Sequence, residues 1–214
     1  MLEKEKQRVW QVAQNAVDGG LCIEGAGNFS LRDPVTKYVV MTPTQIPRCD
    51  LTPDMLVVMD VDGNIIEGPK EPTSEWPMHT MIYAAYPNVL GVVHTHAPYG
   101  TAFAVMNKEI PAIVNEGLGL GMPIPVAPWA IPGSAEMAST AIPLLKDRRA
   151  VMIKNHGTLT TGPTIEAAYK AMITLEDVAR LYWLVLAAGA QAEVLTPEQI
   201  HKMRTTPKPK AKRV

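Results

Sequence analysis

The run Leu56-Val57-Val58-Met59 is followed by Asp62-Gly63-Asn64 and then Ile65-Ile66. A glycine between Asp and Asn allows the backbone of a tight hairpin, and a hairpin pairs its two strands antiparallel. A chain with this signal is not built on a purely parallel, doubly wound sheet. Tyr38-Val39-Val40-Met41 reads as a further strand, ended by Thr42-Pro43-Thr44-Gln45-Ile46-Pro47, whose residues favour loops and offer hydroxyls. Helical spacing brackets these strands. Val9, Val12, Ala13 and Ala16 recur between Glu3 and about Val17. Ala168, Met172, Leu175, Ala179, Tyr182 and Leu186 form a stripe between a Thr164 cap and about Ala188. The expectation is an α/β domain with a largely antiparallel sheet, the last helix serving as a core or subunit-contact element.

With 214 residues, 47% apolar and 19% charged, and no Gly/Ser linker or charge block, the chain reads as one globular domain. A net charge of −1 gives no reason to expect a nucleic-acid partner, and the short basic tail (205–214) reads as a flexible extension. The N-terminus is charged and leads straight into a helical pattern, and no apolar run reaches membrane-spanning length, so a cytoplasmic protein is expected. Cys22 and Cys49 are too few and too isolated for a disulfide framework and read as buried small hydrophobes.

Several loops carry polar groups. Glu24-Gly25-Ala26-Gly27-Asn28-Phe29-Ser30 has glycines that expose backbone N–H groups, but it follows a helix and lacks the third glycine of a dinucleotide fingerprint; alone it reads as a plain loop. Pro72-Thr73-Ser74-Glu75 introduces a helix carrying Met78, Ile82 and Ala85, with Ser74 as N-cap and Glu75 in the first turn, where a carboxylate favours the helix dipole. His79, one turn on, reads as structural. Further along come a helix at Tyr99–Met106, strands at Ile110–Val114 and Pro123–Val126, a helix capped by Ser134 with Met137, Ala141 and Leu144, and a strand at Ala150–Ile153.

The apolar run Val92-Val93 ends in His94-Thr95-His96, and on a strand this spacing puts both imidazoles on one face. The strand Ala150–Ile153 delivers a third histidine, His156, followed by a glycine. Three neutral imidazoles leave at least one coordination position open, the pattern of a catalytic zinc site; a structural site is normally closed, commonly with thiolates, and neither cysteine lies nearby in sequence.

As a group, Gly27-Asn28-Phe29-Ser30, Thr42-Pro43-Thr44, Pro72-Thr73-Ser74-Glu75, His94-Thr95-His96, Ala127-Pro128-Trp129, Pro132-Gly133-Ser134 and Asn155-His156-Gly157 occur in the order found in the class II aldolase/adducin-head family. The chain resembles that family from about Gly19 to Ala188, and most closely its fuculose-1-phosphate aldolase branch. The resemblance implies a single three-layer α/β domain over residues 1–204, with a mainly antiparallel sheet between helices, assembled as a homotetramer with sites at subunit contacts. It implies a zinc-type ion, with manganese, cobalt or iron as substitutes, held by His94, His96 and His156. Glu75 is then the acid/base, and Asn28, Thr42, Thr73 and Ser74 line a phosphate site. The implied reaction cleaves a ketose 1-phosphate, deoxy or modified, to dihydroxyacetone phosphate and an aldehyde.

Three positions depart from the aldolase branch. Gln45 stands where glycine is usual, so the loop changes backbone shape or gains an amide contact. Asn115 stands near a tyrosine of the fuculose enzymes, and the tyrosine of their C-terminal tail has no counterpart. Glu116 resembles the acidic residue of epimerase and dehydratase relatives and reads otherwise as a solvated loop carboxylate. Epimerisation, dehydration or decarboxylation of a phosphorylated sugar is therefore the alternative, and a non-catalytic adducin-like binding module the reading from another class. The metal set argues against the last.

Overall fold

The computed structural model describes residues 1–23 and 25–206. Glu24 and residues 207–214, most of the basic tail, lie outside the described residues. The helices are α1 (Glu3–Asp18), α2 (Trp76–Ala85), α3 (Pro98–Met106), α4 (Ala135–Ala141), α5 (Ile165–Ala187) and α6 (Pro197–Thr205). The strands are β1 (Asn28–Arg32), β2 (Val39–Met41), β3 (Val57–Met59), β4 (Ile65–Glu67), β5 (Gly91–Thr95), β6 (Val126–Ala127), β7 (Ala150–Ile153) and β8 (Gly157–Gly162). They form one sheet in the order β4-β3-β2-β1-β5-β8-β7-β6. Every pair is antiparallel except β6 with β7. The hairpin at Asp62-Gly63-Asn64 joins β3 to β4 as expected, and the expected mainly antiparallel architecture is the one observed.

The sheet is the middle of three layers because its central strands are apolar on both faces. On one face Phe29, Leu31, Val40, Val58 and Val93 pack against Val9, Val12, Ala13 and Ala16 of α1 and Ile165, Ala168 and Met172 of α5. On the other, Val39, Met41, Met59, Val92 and Val151 pack against Met78, Ile82 and Tyr83 of α2 and Met137, Ala138 and Ala141 of α4. A third cluster joins Phe103 and Ala104 of α3 to Ala150, Met152, Leu175 and Ala179. Each fully buried Val, Leu, Ile or Met contributes roughly 1.5–3 kcal/mol relative to an exposed one, which is enough to anchor the strand ends that carry the polar site.

Some elements differ from expectation for clear backbone reasons. Ile110–Val114 is not a strand; only Ile110 bridges Ile124, and Pro111 has no N–H to continue the ladder. The strand placed at Pro123–Val126 is instead Val126–Ala127, because Pro123 and Pro125 cannot donate. Ser74 is not the cap of α2: Glu75 occupies the N-cap position without a capping bond, and a proline in the first turn sets the start. Ala85 is exposed, whereas Tyr83 joins Met78 and Ile82 in the core. Cys22 is buried as expected, but Cys49 is exposed. Ser134 caps α4 through a bond from the Met137 amide at 3.1 Å. Strand β1, strand β8 and helix α6 were not anticipated. For α6 the signal was present, since Thr196 and Gln199 form a capping box. Among the described residues, no helix is long and apolar enough to cross a membrane.

Candidate metal centre

His94 is the penultimate residue of β5, which ends at Thr95, and His96 lies one residue beyond the strand; His156 sits in the tight turn from β7 to β8, where Asn155 has φ 54°. Antiparallel pairing of β5 with β8 brings this turn alongside the strand end. The Nε2 atoms of His94 and His96 are 3.1 Å apart, and those of His156 and His94 are also 3.1 Å apart. The ligand atoms of all three lie within 4.8 Å of one another.

His94 donates from Nδ1 to the Thr158 carbonyl at 2.9 Å, so its neutral form has a bare lone pair on Nε2, aimed at two other imidazole nitrogens. Two nitrogens bound to one tetrahedral zinc at about 2.0–2.1 Å stand about 3.3–3.4 Å apart, close to what is seen. The Thr158 carbonyl is the kind of outer partner that fixes the tautomer of a ligating histidine. The donor set therefore fits a divalent ion.

The Glu75 carboxylate closes one side, with Oε1 3.0 Å from His156 Nε2 and Oε2 3.3 Å from His94 Nε2. The Asn28 amide donates to Oε2 at 3.2 Å, and Asn28 pairs with His94 in the β1–β5 register. Burial pushes the Glu75 carboxyl up, but the His94 and His156 imidazoles and the Asn28 amide outweigh it and hold the group well below the usual carboxylate range. Burial pushes His94 down to about 4, against the pull of Glu75, and lowers His96 as well. Near neutral pH, His94 and His96 are therefore neutral and the carboxylate is ionised, which suits metal ligation.

The hydroxyl-bearing loops meet beside this group. Thr42 Oγ1 accepts the Phe29 amide at 3.2 Å, the Thr73 amide donates to the Thr42 carbonyl at 3.0 Å, and Thr73 Oγ1 accepts the Glu75 amide at 3.4 Å. Asn28, Thr42 and Thr73 are buried, while Ser74 is exposed. The Pro132-Gly133-Ser134 turn presses on this loop: a Cβ on Gly133 would lie 2.7 Å from the Ser74 carbonyl. The sequence-predicted metal ligands, Glu75, Asn28, Thr42 and Thr73 are thus brought together.

Residues 7–183 match the family described as Class II Aldolase and Adducin N-terminal domain. The chain belongs to that family. It is 34% identical over 179 residues to a 5-methylthioribulose-1-phosphate/5-deoxyribulose-1-phosphate aldolase of Rhodospirillum rubrum, covering 83% of this chain and 79% of the relative. It is 36% identical over 177 residues to the L-fuculose phosphate aldolase of Escherichia coli K12, covering 82% and 80%. Among solved structures, an L-fuculose 1-phosphate aldolase superposes with TM-score 0.90 at 30% identity, covering 94% of each chain.

Gln45 has a left-handed backbone, φ 57°, the conformation that favours glycine, with its side chain exposed. Strain of this kind, about 1–2 kcal/mol, concentrates at functional loops. Glu116 is not drawn into its own chain's histidine group. It lies in the 3-10 turn Asn115–Leu120 and lines a cleft of about 490 Å³ with Val114, Asp177, Arg180, Leu181 and Leu184.

The sequence predicts a structural His79 and points to no role for Ser30 or Tyr83. All three are fully buried and hydrogen-bonded in a line behind Asn28. The available signal was spacing: Asn28 and Ser30 alternate on a strand, and Glu75, His79 and Tyr83 recur every four residues.

Proposed function

We propose that this chain is a divalent-metal aldolase that cleaves a deoxy or otherwise modified ketose 1-phosphate to dihydroxyacetone phosphate and an aldehyde. The observation that carries the reading is the ionised Glu75 carboxylate 3.0–3.3 Å from the imidazoles of a three-histidine group, beside hydroxyl-lined loops. The relatives named above act on sugar phosphates of this kind. His94, His96 and His156 would hold zinc, or manganese, cobalt or iron in its place. A bound divalent ion supplies electron withdrawal at the ketose carbonyl.

The residues divide the remaining work. Asn28, Thr42, Thr73 and Ser74 bind the phosphate and so fix the sugar's orientation, where proximity supplies much of the rate. Breaking the C–C bond requires a proton to leave the hydroxyl beside the bond and another to reach the carbon left behind. Glu75, ionised at rest, removes the carbon proton in the condensation direction and passes it to solvent; in cleavage it takes a proton from solvent and hands it to the carbon. Glu116, from a neighbouring copy, handles the first in place of the tyrosine missing at Asn115. That role needs an assembly, and a homotetramer is proposed because Leu181 and Leu184, beside Glu116, are exposed large apolar residues, as is Trp183 on the same helix. Light scattering on the native protein should then give about four times the chain mass, and Leu184→Asp should release smaller species. A native monomer would remove the shared-site role of Glu116.

The deciding experiment supplies dihydroxyacetone phosphate and a panel of aldehydes to protein carrying close to one metal ion per chain. Condensation products are expected, and none should form after the metal is stripped. Full activity without metal would end the metal reading. The pairing of Asn115 with Glu116 favours a second reading, epimerisation, dehydration or decarboxylation on the same scaffold. No product from any aldehyde would select it.

A further inference from the structure

Strand β1 places Asn28, Ser30 and Arg32 on the sheet face that lies under α2, opposite Phe29 and Leu31. Glu75, His79 and Tyr83 recur every fourth residue at the start of α2 and along it. Two strand residues advance about 6.6–6.8 Å and four helical residues about 6 Å, so the two series stay in step over three rungs. Asn28 Nδ2 donates to Glu75 at 3.2 Å, and its Oδ1 meets His79 Nε2 at 2.5 Å. Ser30 Oγ meets His79 Nδ1 at 2.6 Å and Tyr83 OH at 2.8 Å. Arg32 ends the series by donating to the carbonyls of Tyr83 at 2.7 Å and Pro87 at 2.6 Å, at the C-terminal end of α2.

These bonds have only one consistent direction. The Asn28 amide turns its NH2 to the Glu75 carboxylate and its oxygen, which can only accept, to His79. His79 Nε2 must then donate. Burial holds His79 neutral, with its pKa lowered to about 3, so Nδ1 carries a lone pair that takes the Ser30 hydroxyl proton. Ser30 in turn accepts from Tyr83. His79, Ser30 and Tyr83 are fully buried, so each reversed or missing bond would leave a polar group unpaired in the core.

We propose that this ladder is a positioning device: it sets the height of α2 against β1 and locks the Asn28 amide so that Glu75 arrives at His94 with Oε2 held. The proposal rests on Glu75 having the acid/base role given above. His79, Ser30 and Tyr83 touch neither substrate nor metal ligand in it; they act through Asn28.

The test compares two substitutions of His79. His79→Gln keeps a donor where Nε2 stands and so retains the bond to Asn28. His79→Asn keeps only a group near Nδ1, bonding Ser30 and losing Asn28. Each variant, metal-loaded, is assayed for exchange of the dihydroxyacetone phosphate carbon proton with deuterated solvent, with kcat and KM measured separately. His79→Gln should stay within about threefold of native kcat, and His79→Asn should lose about 10- to 100-fold in kcat, the size seen for outer partners of metal sites, with a smaller rise in KM through Asn28 and metal content unchanged. Equal kcat for the two would overturn the proposal. If His79→Asn does not fold, His79→Phe serves: it keeps the buried ring and loses the bond to Asn28, with an expected kcat loss above threefold, and native kcat there overturns the proposal. Nitrogen NMR of the native protein decides the direction without activity: His79 must carry its proton on Nε2, and a proton on Nδ1 overturns the ladder. If exchange survives in Glu75→Gln, the acid/base reading fails, and the His79 tautomer still decides the ladder separately.

Discussion

Glu75→Gln is expected to leave a folded, metal-binding protein that no longer exchanges the carbon proton of dihydroxyacetone phosphate with solvent. The substitution is nearly isosteric at a buried position, and the new amide oxygen still accepts from Asn28 Nδ2, which sits 3.2 Å from the present Oε2. No cavity opens and no polar group is orphaned, so the thermal midpoint should hold. The chemistry should not. A glutamine neither accepts nor delivers a proton at neutral pH, and positioned acid/base groups contribute about 10²–10⁴-fold to rate. The three imidazoles remain, so metal content should stay near one ion per chain. The measurement is proton–deuterium exchange followed by NMR, with metal content determined on the same sample. Exchange within threefold of native, with metal present, would take the acid/base role from Glu75.

What was legible in the sequence divides along physical lines. Hairpin chemistry and apolar periodicity are local, so α1, α5, β2, β3, β4, β5 and β7 could be read to within a residue or two. The three histidines could be grouped because each ends an apolar run, and strand ends of one sheet face a common side. Strand β8 was hidden because Gly157-Thr-Leu-Thr-Thr-Gly162 has neither an apolar run nor clean alternation; it is buried throughout, and on one face Thr158 and Thr160 bond the Thr95 and Ala168 carbonyls. Strand β1 was hidden because two polar residues and an arginine face the core on it. Their burial is made tolerable only by partners on α2, and those partners lie about fifty residues away. That is why His79, fully buried, looked like a lone histidine on a helix. The site's inner layer follows residue chemistry, and its supporting layer follows pairings that no local pattern reports.

The turn after the third histidine shows how tightly that support is built, and Gly157→Ala should disable the centre without touching a ligand. A Cβ on Gly157 would stand 2.5 Å from the Thr95 carbonyl oxygen, 2.7 Å from His96 Cδ2 and 3.0 Å from His94 Cε1. The first of these is backbone of β5, so the methyl cannot be accommodated by a side-chain rotation alone. Relief comes either from β8 moving off β5, which strains the pairing of Thr95 with Thr158, or from both imidazoles turning away. Overpacking of this kind costs about 1–3 kcal/mol in stability. Ligand distances near 2.0–2.1 Å leave little room for displaced rings, and losses of roughly 10- to 100-fold in affinity follow even from disturbed outer partners. The expected result is a folded variant with a lowered thermal midpoint and metal affinity at least tenfold weaker in chelator competition, although all three histidines are present. Native affinity in Gly157→Ala would mean that the β5–β8 approach does not set the imidazole spacing. A loss would place the origin of the metal centre in a glycine that binds nothing.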